Sequence, residues 1–215
     1  MRTDELINTL VADHAVQPRP KPVAHGLVMA IVGGLAISSA LFLLTLGVRP
    51  DILSALSTWR FDLKLSVNVV LAIAASWVAL RLSNPTTTPL SAMRALLVPA
   101  LLLLGAVVYE LATIPASAWP SRAMGVNGVM CLASIIFLSV LPLAATIYAL
   151  RQGAPTSPAV MGAVGGLLAG GLGATVFAMH CSTNDSPLFV AIWYALAIGL
   201  MSMFGLVVGR RALRW

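Results

Sequence analysis

Six apolar runs, each close to the length of a bilayer-crossing helix, leave this chain little room for any other architecture. They lie at about Gly26–Val48, Leu63–Leu80, Ala92–Ala112, Met124–Ala149, Ala159–His180 and Leu188–Val208. About 20 apolar residues span the hydrocarbon core as a helix, and inside it each backbone N–H and C=O has to be satisfied within the segment, as a helix does. The predicted fold is therefore all-α. It is a six-span transmembrane helical bundle (residues 25–215) preceded by a short N-terminal segment (residues 1–24). The second run is the shortest, and Asn127 marks an interfacial turn at the start of the fourth. Composition agrees: 59% of the residues are hydrophobic and 9% are charged, where soluble domains carry about 25% charge.

The net charge of +6 does not point to nucleic acid. Lys and Arg sit at the edges of the apolar runs and not on one face with interleaved aromatics. Their distribution gives the orientation instead. With the N-terminus inside, nine fall on inner segments (Arg2, Arg19, Lys21, Arg81, Arg94, Arg151, Arg210, Arg211, Arg214) and four outside (Arg49, Arg60, Lys64, Arg122). The positive-inside rule then places both termini in the cytoplasm. In a Gram-negative bacterium the loop "HCSTNDSP" faces the periplasm.

Small residues recur at four-residue spacing. Gly162, Gly166, Gly170 and Ala174 form one row, and Ala30, Gly34 and Ser38 another. Such rows let neighbouring helices approach closely. The span centres hold Asn68, Asn127 and a few hydroxyls but no charge. An ion-coupled transporter needs ionisable groups there, so a small transporter is a weak alternative. Glu110, near the outer end of the third span, reads as an interfacial carboxylate within reach of water.

Ahead of the first span, "TDELINTLVADHAV" predicts a short amphipathic helix. Leu6, Ile7, Leu10 and Val11 form its apolar stripe, and Asp4, Glu5 and Asp13 its polar face. A helix this short needs a surface to fold against. Membrane-surface helices carry Lys and Arg on the polar face, so the acidic face here favours a protein partner that takes the stripe into a groove. "QPRPKPV" follows. Its alternating prolines make an extended spacer.

Cysteine is used twice, at Cys131 and Cys181, and neither belongs to a C-x-x-C pair. Counted from the hairpin near Ala154, the two lie 23 and 27 residues away. At 1.5 Å per residue that is a depth difference of ~6 Å, both toward the outer face. His180 beside Cys181 adds a second soft donor, and Asp185 an oxygen one turn on. No resident cofactor is called for. Transient soft-metal binding by His180, Cys181, Cys131 and Asp185 is the one ligand reading. A membrane thiol oxidoreductase is a second alternative, but such an enzyme relays electrons between two redox pairs and this chain has one.

"TDELINTLVAD", "HCSTNDSPLFVAIWY" and "GRRALRW" together resemble the NrsF family, nearly end to end. The resemblance implies a six-span inner-membrane anti-sigma factor, not an enzyme. Its partner would be an extracytoplasmic-function sigma factor, sequestered by the cytoplasmic N-terminal segment (Asp4, Leu6, Ile7, Leu10, Val11, Asp13). The residues matching the family's cysteines, Cys131 and Cys181, would sense heavy-metal or oxidative stress. The chain departs from the usual anti-sigma design in lacking a soluble zinc-binding domain.

Overall fold

The computed structural model describes residues 3–16, 23–84, 88–153, 155, 157–182 and 185–214, with the backbone alone at Leu10 and residues 12–16. The Pro-rich spacer at 17–22 lies outside the described residues. Helix α1 spans Thr3–Val16. Six helices long and apolar enough to cross a membrane follow: α2 Val23–Thr45, α3 Trp59–Leu82, α4 Pro89–Thr113, α5 Gly128–Leu150, α6 Pro158–Ala178 and α7 Pro187–Ala212. There is no strand among the described residues. The second run, read from sequence as the shortest, forms a 24-residue helix. Its first turns, "WRFDLK", are too polar for a hydropathy reading to include. The turn at the start of the fourth run is real: a short helix Trp119–Met124 ends at Gly125, and α5 starts only after Asn127.

α6 is the central helix and the most buried of the six. Its glycine row faces α7 so closely that a Cβ on Gly162 would strike the Gly205 carbonyl and come within 2.7 Å of the Gly209 Cα. Gly173 meets α5 at Ile135 and Ser139, and Gly171 meets α3 at Asn68 and Ala72. Three helices thus reach the α6 backbone because so few of its residues carry a side chain on those faces.

The second small row seats α2 on α5. Pro142 lies inside α5 and has no N–H, which leaves the carbonyl four residues earlier, at Leu138, without its helical donor. Ser38 Oγ on α2 supplies one at 2.7 Å. Gly34, one turn before Ser38, lets the Pro142 ring approach, since a Cβ there would sit 3.1 Å from the Pro142 Cα. In lipid an unmet carbonyl is costly, and a hydroxyl from a neighbouring helix removes that cost.

Candidate thiol site

Segments 46–58, 114–127, 179–182 and 185–186 lie at one end of the bundle. Cys131 is in the first turn of α5, its N–H bonded to the Asn127 carbonyl at 3.0 Å. Cys181 lies three residues past the end of α6, on the crossing segment. Both are buried, reduced thiols, with sulfurs 3.8 Å apart. The matched depth read from the sequence is therefore a contact. A cavity of about 210 Å³ lined by Asn127, Met130, His180 and Ser182 opens over the pair, giving small reactants a route to sulfurs that larger ones cannot touch.

The separation suits two chemistries. A disulfide needs the sulfurs about 1.8 Å closer, at ~2.05 Å. A tetrahedral soft ion with Zn–S-like arms of ~2.3 Å would bridge two sulfurs ~3.8 Å apart. His180 lies beside the pair: its Nδ1 donates to the Gly47 carbonyl at 2.9 Å. A carbonyl only accepts, so Nδ1 carries the proton and a neutral ring keeps its lone pair on Nε2. Gly47 presents that carbonyl because it ends α2 at φ +73°, a left-handed conformation that glycine adopts without strain.

Asp185, read as an oxygen ligand, is engaged elsewhere. It pairs with Lys64 Nζ through Oδ1 and with Arg49 Nη1 through Oδ2, the latter at 3.0 Å. Among the described residues no three His, Cys, Asp or Glu side chains stand as a metal-ligand group. The two cations also share a second acceptor. Lys64 Nζ (3.0 Å) and Arg49 Nη1 (3.1 Å) both donate to the backbone carbonyl of Cys181. The sequence places Lys64 and Arg49 in outer loops. Here Lys64 is fully buried in α3 and Arg49 is 5% exposed, and both lie against the ring of Phe61 at 5.6 and 5.5 Å. They bring positive charge to the C-terminal end of α6, where the helix dipole is negative.

Arg49 is tied to Asp51 as well, Nε to Oδ1 at 2.8 Å and Nη2 to Oδ2 at 2.7 Å. That hydrogen-bonded fork lowers the Asp51 carboxyl to about 2. The Asp51 hydrogen bond in turn raises the pKa of Arg49, against the opposing effect of burial.

Glu110 is not at a watery interface. It is fully buried. Its Oε2 accepts from Ser186 Oγ at 2.6 Å and from the Leu188 N–H at 3.1 Å, and Oε1 faces Arg60 at 3.5 Å. The Leu188 N–H belongs to the first turn of α7, where amides have no helical acceptor. Glu110 thus caps α7 from α4, and with Ser186 it fixes the far end of the segment that carries Cys181.

At the other end of the chain, Leu6, Ile7 and Val11 on α1 are 43%, 51% and 64% exposed, and Asp4 is exposed too. The side chains of Leu10 and Asp13 lie outside the described residues.

Fold and site define a six-span helical membrane protein with one buried thiol pair at a loop-closed end. Comparison with known proteins narrows this. The family described as "Negative regulator of sigma F" (NrsF) matches residues 10–215. The chain is 33% identical over 221 residues to the anti-sigma-F factor NrsF of Caulobacter vibrioides. It is 31% identical over 215 residues to the probable anti-sigma-F factor NrsF of Azospira oryzae. Both alignments cover 100% of each chain. The chain belongs to the NrsF family of anti-sigma factors. No solved structure matches it.

Proposed function

We propose that this protein is an inner-membrane anti-sigma factor that sequesters an extracytoplasmic-function sigma factor through its cytoplasmic N-terminal segment. It releases that factor when Cys131 and Cys181 are joined or bridged on the periplasmic side. Full-length similarity to proteins named anti-sigma-F factors carries the regulatory part of this reading. Two observations support the rest. Leu6, Ile7 and Val11 present apolar surface that no other described residue covers, as a helix awaiting a partner groove does. The only two cysteines of the chain stand 3.8 Å apart under a small cavity, close enough for one oxidant or one soft ion to engage both. Regulation here is binding and release.

The test is a reporter of the sigma regulon in cells carrying Cys131→Ser or Cys181→Ser. Each single variant is expected to hold the sigma factor as the unmodified protein does and to give no induction by oxidant or cadmium. The double variant is expected to behave like either single one. Normal induction in Cys131→Ser by every inducer of the unmodified protein would overturn the two-thiol reading.

A further inference from the structure

Cys181 lies on a crossing segment, not in a helix, and what holds that segment is the turn that ends α2. The Arg49 N–H donates to the Met179 carbonyl at 3.0 Å, and His180 Nδ1 donates to the Gly47 carbonyl at 2.9 Å. The Arg49 guanidinium donates to the carbonyls of Cys181 (3.1 Å) and Ser182 (3.3 Å) and pairs with Asp185. Met179, His180, Cys181, Ser182 and Asp185 are thereby fastened to residues 47–49. α2 is also the span that continues directly into the N-terminal segment.

We propose that Arg49 is the positioning residue that passes the state of the thiol pair to α2. This rests on the reading that the thiols sense and the N-terminal segment binds the sigma factor. Cys131 is held in a regular helix by its own N–H, so when the sulfurs join, the crossing segment at Cys181 is the part that yields. Each thiol gives up one hydrogen, the S–S bond forms, and a two-electron oxidant takes up both hydrogens. With diamide the N=N bond becomes a hydrazine. Closing the gap of about 1.8 Å displaces the Cys181 carbonyl, and a donor–acceptor distance beyond ~3.5 Å is no longer a hydrogen bond. A guanidinium that is 5% exposed cannot be left with buried N–H groups unmet. It follows Cys181, or it turns wholly to Asp51 and Asp185. In both cases the 47–51 turn and the end of α2 are re-seated. Lys64 grips the same Cys181 carbonyl from α3, a span that reaches the N-terminal segment only back through the 47–51 turn and α2, so it serves as the internal control.

The experiment uses the full-length protein in native membranes with diamide as probe. Thiol joining is read by gel shift after alkylation, and sigma release by the regulon reporter. In Arg49→Gln, diamide is expected still to join the thiols, while the ratio of output with and without diamide falls about fivefold or more, the range of a lost coupling. Lys64→Met is expected to keep its ratio. Should Arg49→Gln fail to accumulate, Arg49→Lys decides. It keeps the charge but loses the fork to two carbonyls, so a reduced ratio supports the proposal. Joined thiols with an unchanged ratio in the Arg49 variant overturn it, as does an equal loss in Lys64→Met. Normal induction in the Cys131→Ser and Cys181→Ser proteins would instead remove the thiol reading, and this inference with it.

Discussion

Asp185→Asn is expected to be among the most damaging single substitutions, costing about 3 kcal/mol. Asp185 balances two cations, Lys64 and Arg49. Removing its charge leaves Lys64, at 0% exposure, with neutral partners in place of a carboxylate: the Cys181 carbonyl, the Phe61 ring and the new amide oxygen. An uncompensated buried charge costs about 3–5 kcal/mol, and the 18% exposure of the Asp185 side chain argues for the lower end. For a chain of this length the detergent-solubilised protein should lose about 6–12 °C in Tm. Replacing both partners, Lys64→Met with Asp185→Leu, is expected to recover much of the loss, because a packed apolar pair carries no desolvation cost. Asp51→Asn is the contrasting case. Asp51 is half exposed, Arg49 keeps its other acceptors, and Tm is expected to stay nearly unchanged. Equal losses at Asp51 and Asp185 would show that the buried cluster is not held as described.

Gly162→Ala is expected to cost about 2–3 kcal/mol by overpacking. The new Cβ would meet backbone and not a side-chain tip: the Gly205 carbonyl and the Gly209 Cα. Backbone cannot rotate away, so α6 and α7 must separate along their whole contact. Gly33→Ala is the control, because a Cβ there meets nothing within 4 Å and gains helix propensity. The thermal midpoints of the two variants should therefore move in opposite directions. A Gly162→Ala protein as stable as Gly33→Ala would mean that α6 and α7 are not in backbone contact.

Much of this fold is legible in the sequence because lipid imposes so strong a rule. Six apolar runs give six helices, and four-residue rows of small side chains mark helix contacts. Ser38 and Gly34 were readable as a packing row. Their particular task, serving the bare Leu138 carbonyl and admitting Pro142, was not, since it depends on which helix lies opposite. The thiol contact was half legible: counting from the hairpin fixed depth but not facing. The charge cluster was missed. Lys64 and Asp185 are 121 residues apart, so no helical spacing links them, and a lysine five residues into a span is ordinarily assumed to reach back toward water. One signal was present. Phe61, Lys64, Asn68, Ala72, Ala75 and Ala79 follow the three- and four-residue rhythm of one helix face, and all six are buried. The period already placed Lys64 on the inner stripe. Burial of Glu110 had no such sign, because what caps α7 depends on where the bundle places Ser186 and Leu188 against α4.

The most direct test of the central claim is co-purification of the sigma factor with the tagged full-length protein from unstressed membranes. The comparison is with Leu6→Ala/Leu10→Ala and with a chain lacking residues 1–24. If the α1 stripe fills a groove on the partner, each leucine truncation removes about 2–5 kcal/mol, so the double variant should retain little sigma factor and the truncated chain none. All three proteins should be present in the membrane in equal amounts. Undiminished sigma retention by the chain lacking residues 1–24 would contradict the account.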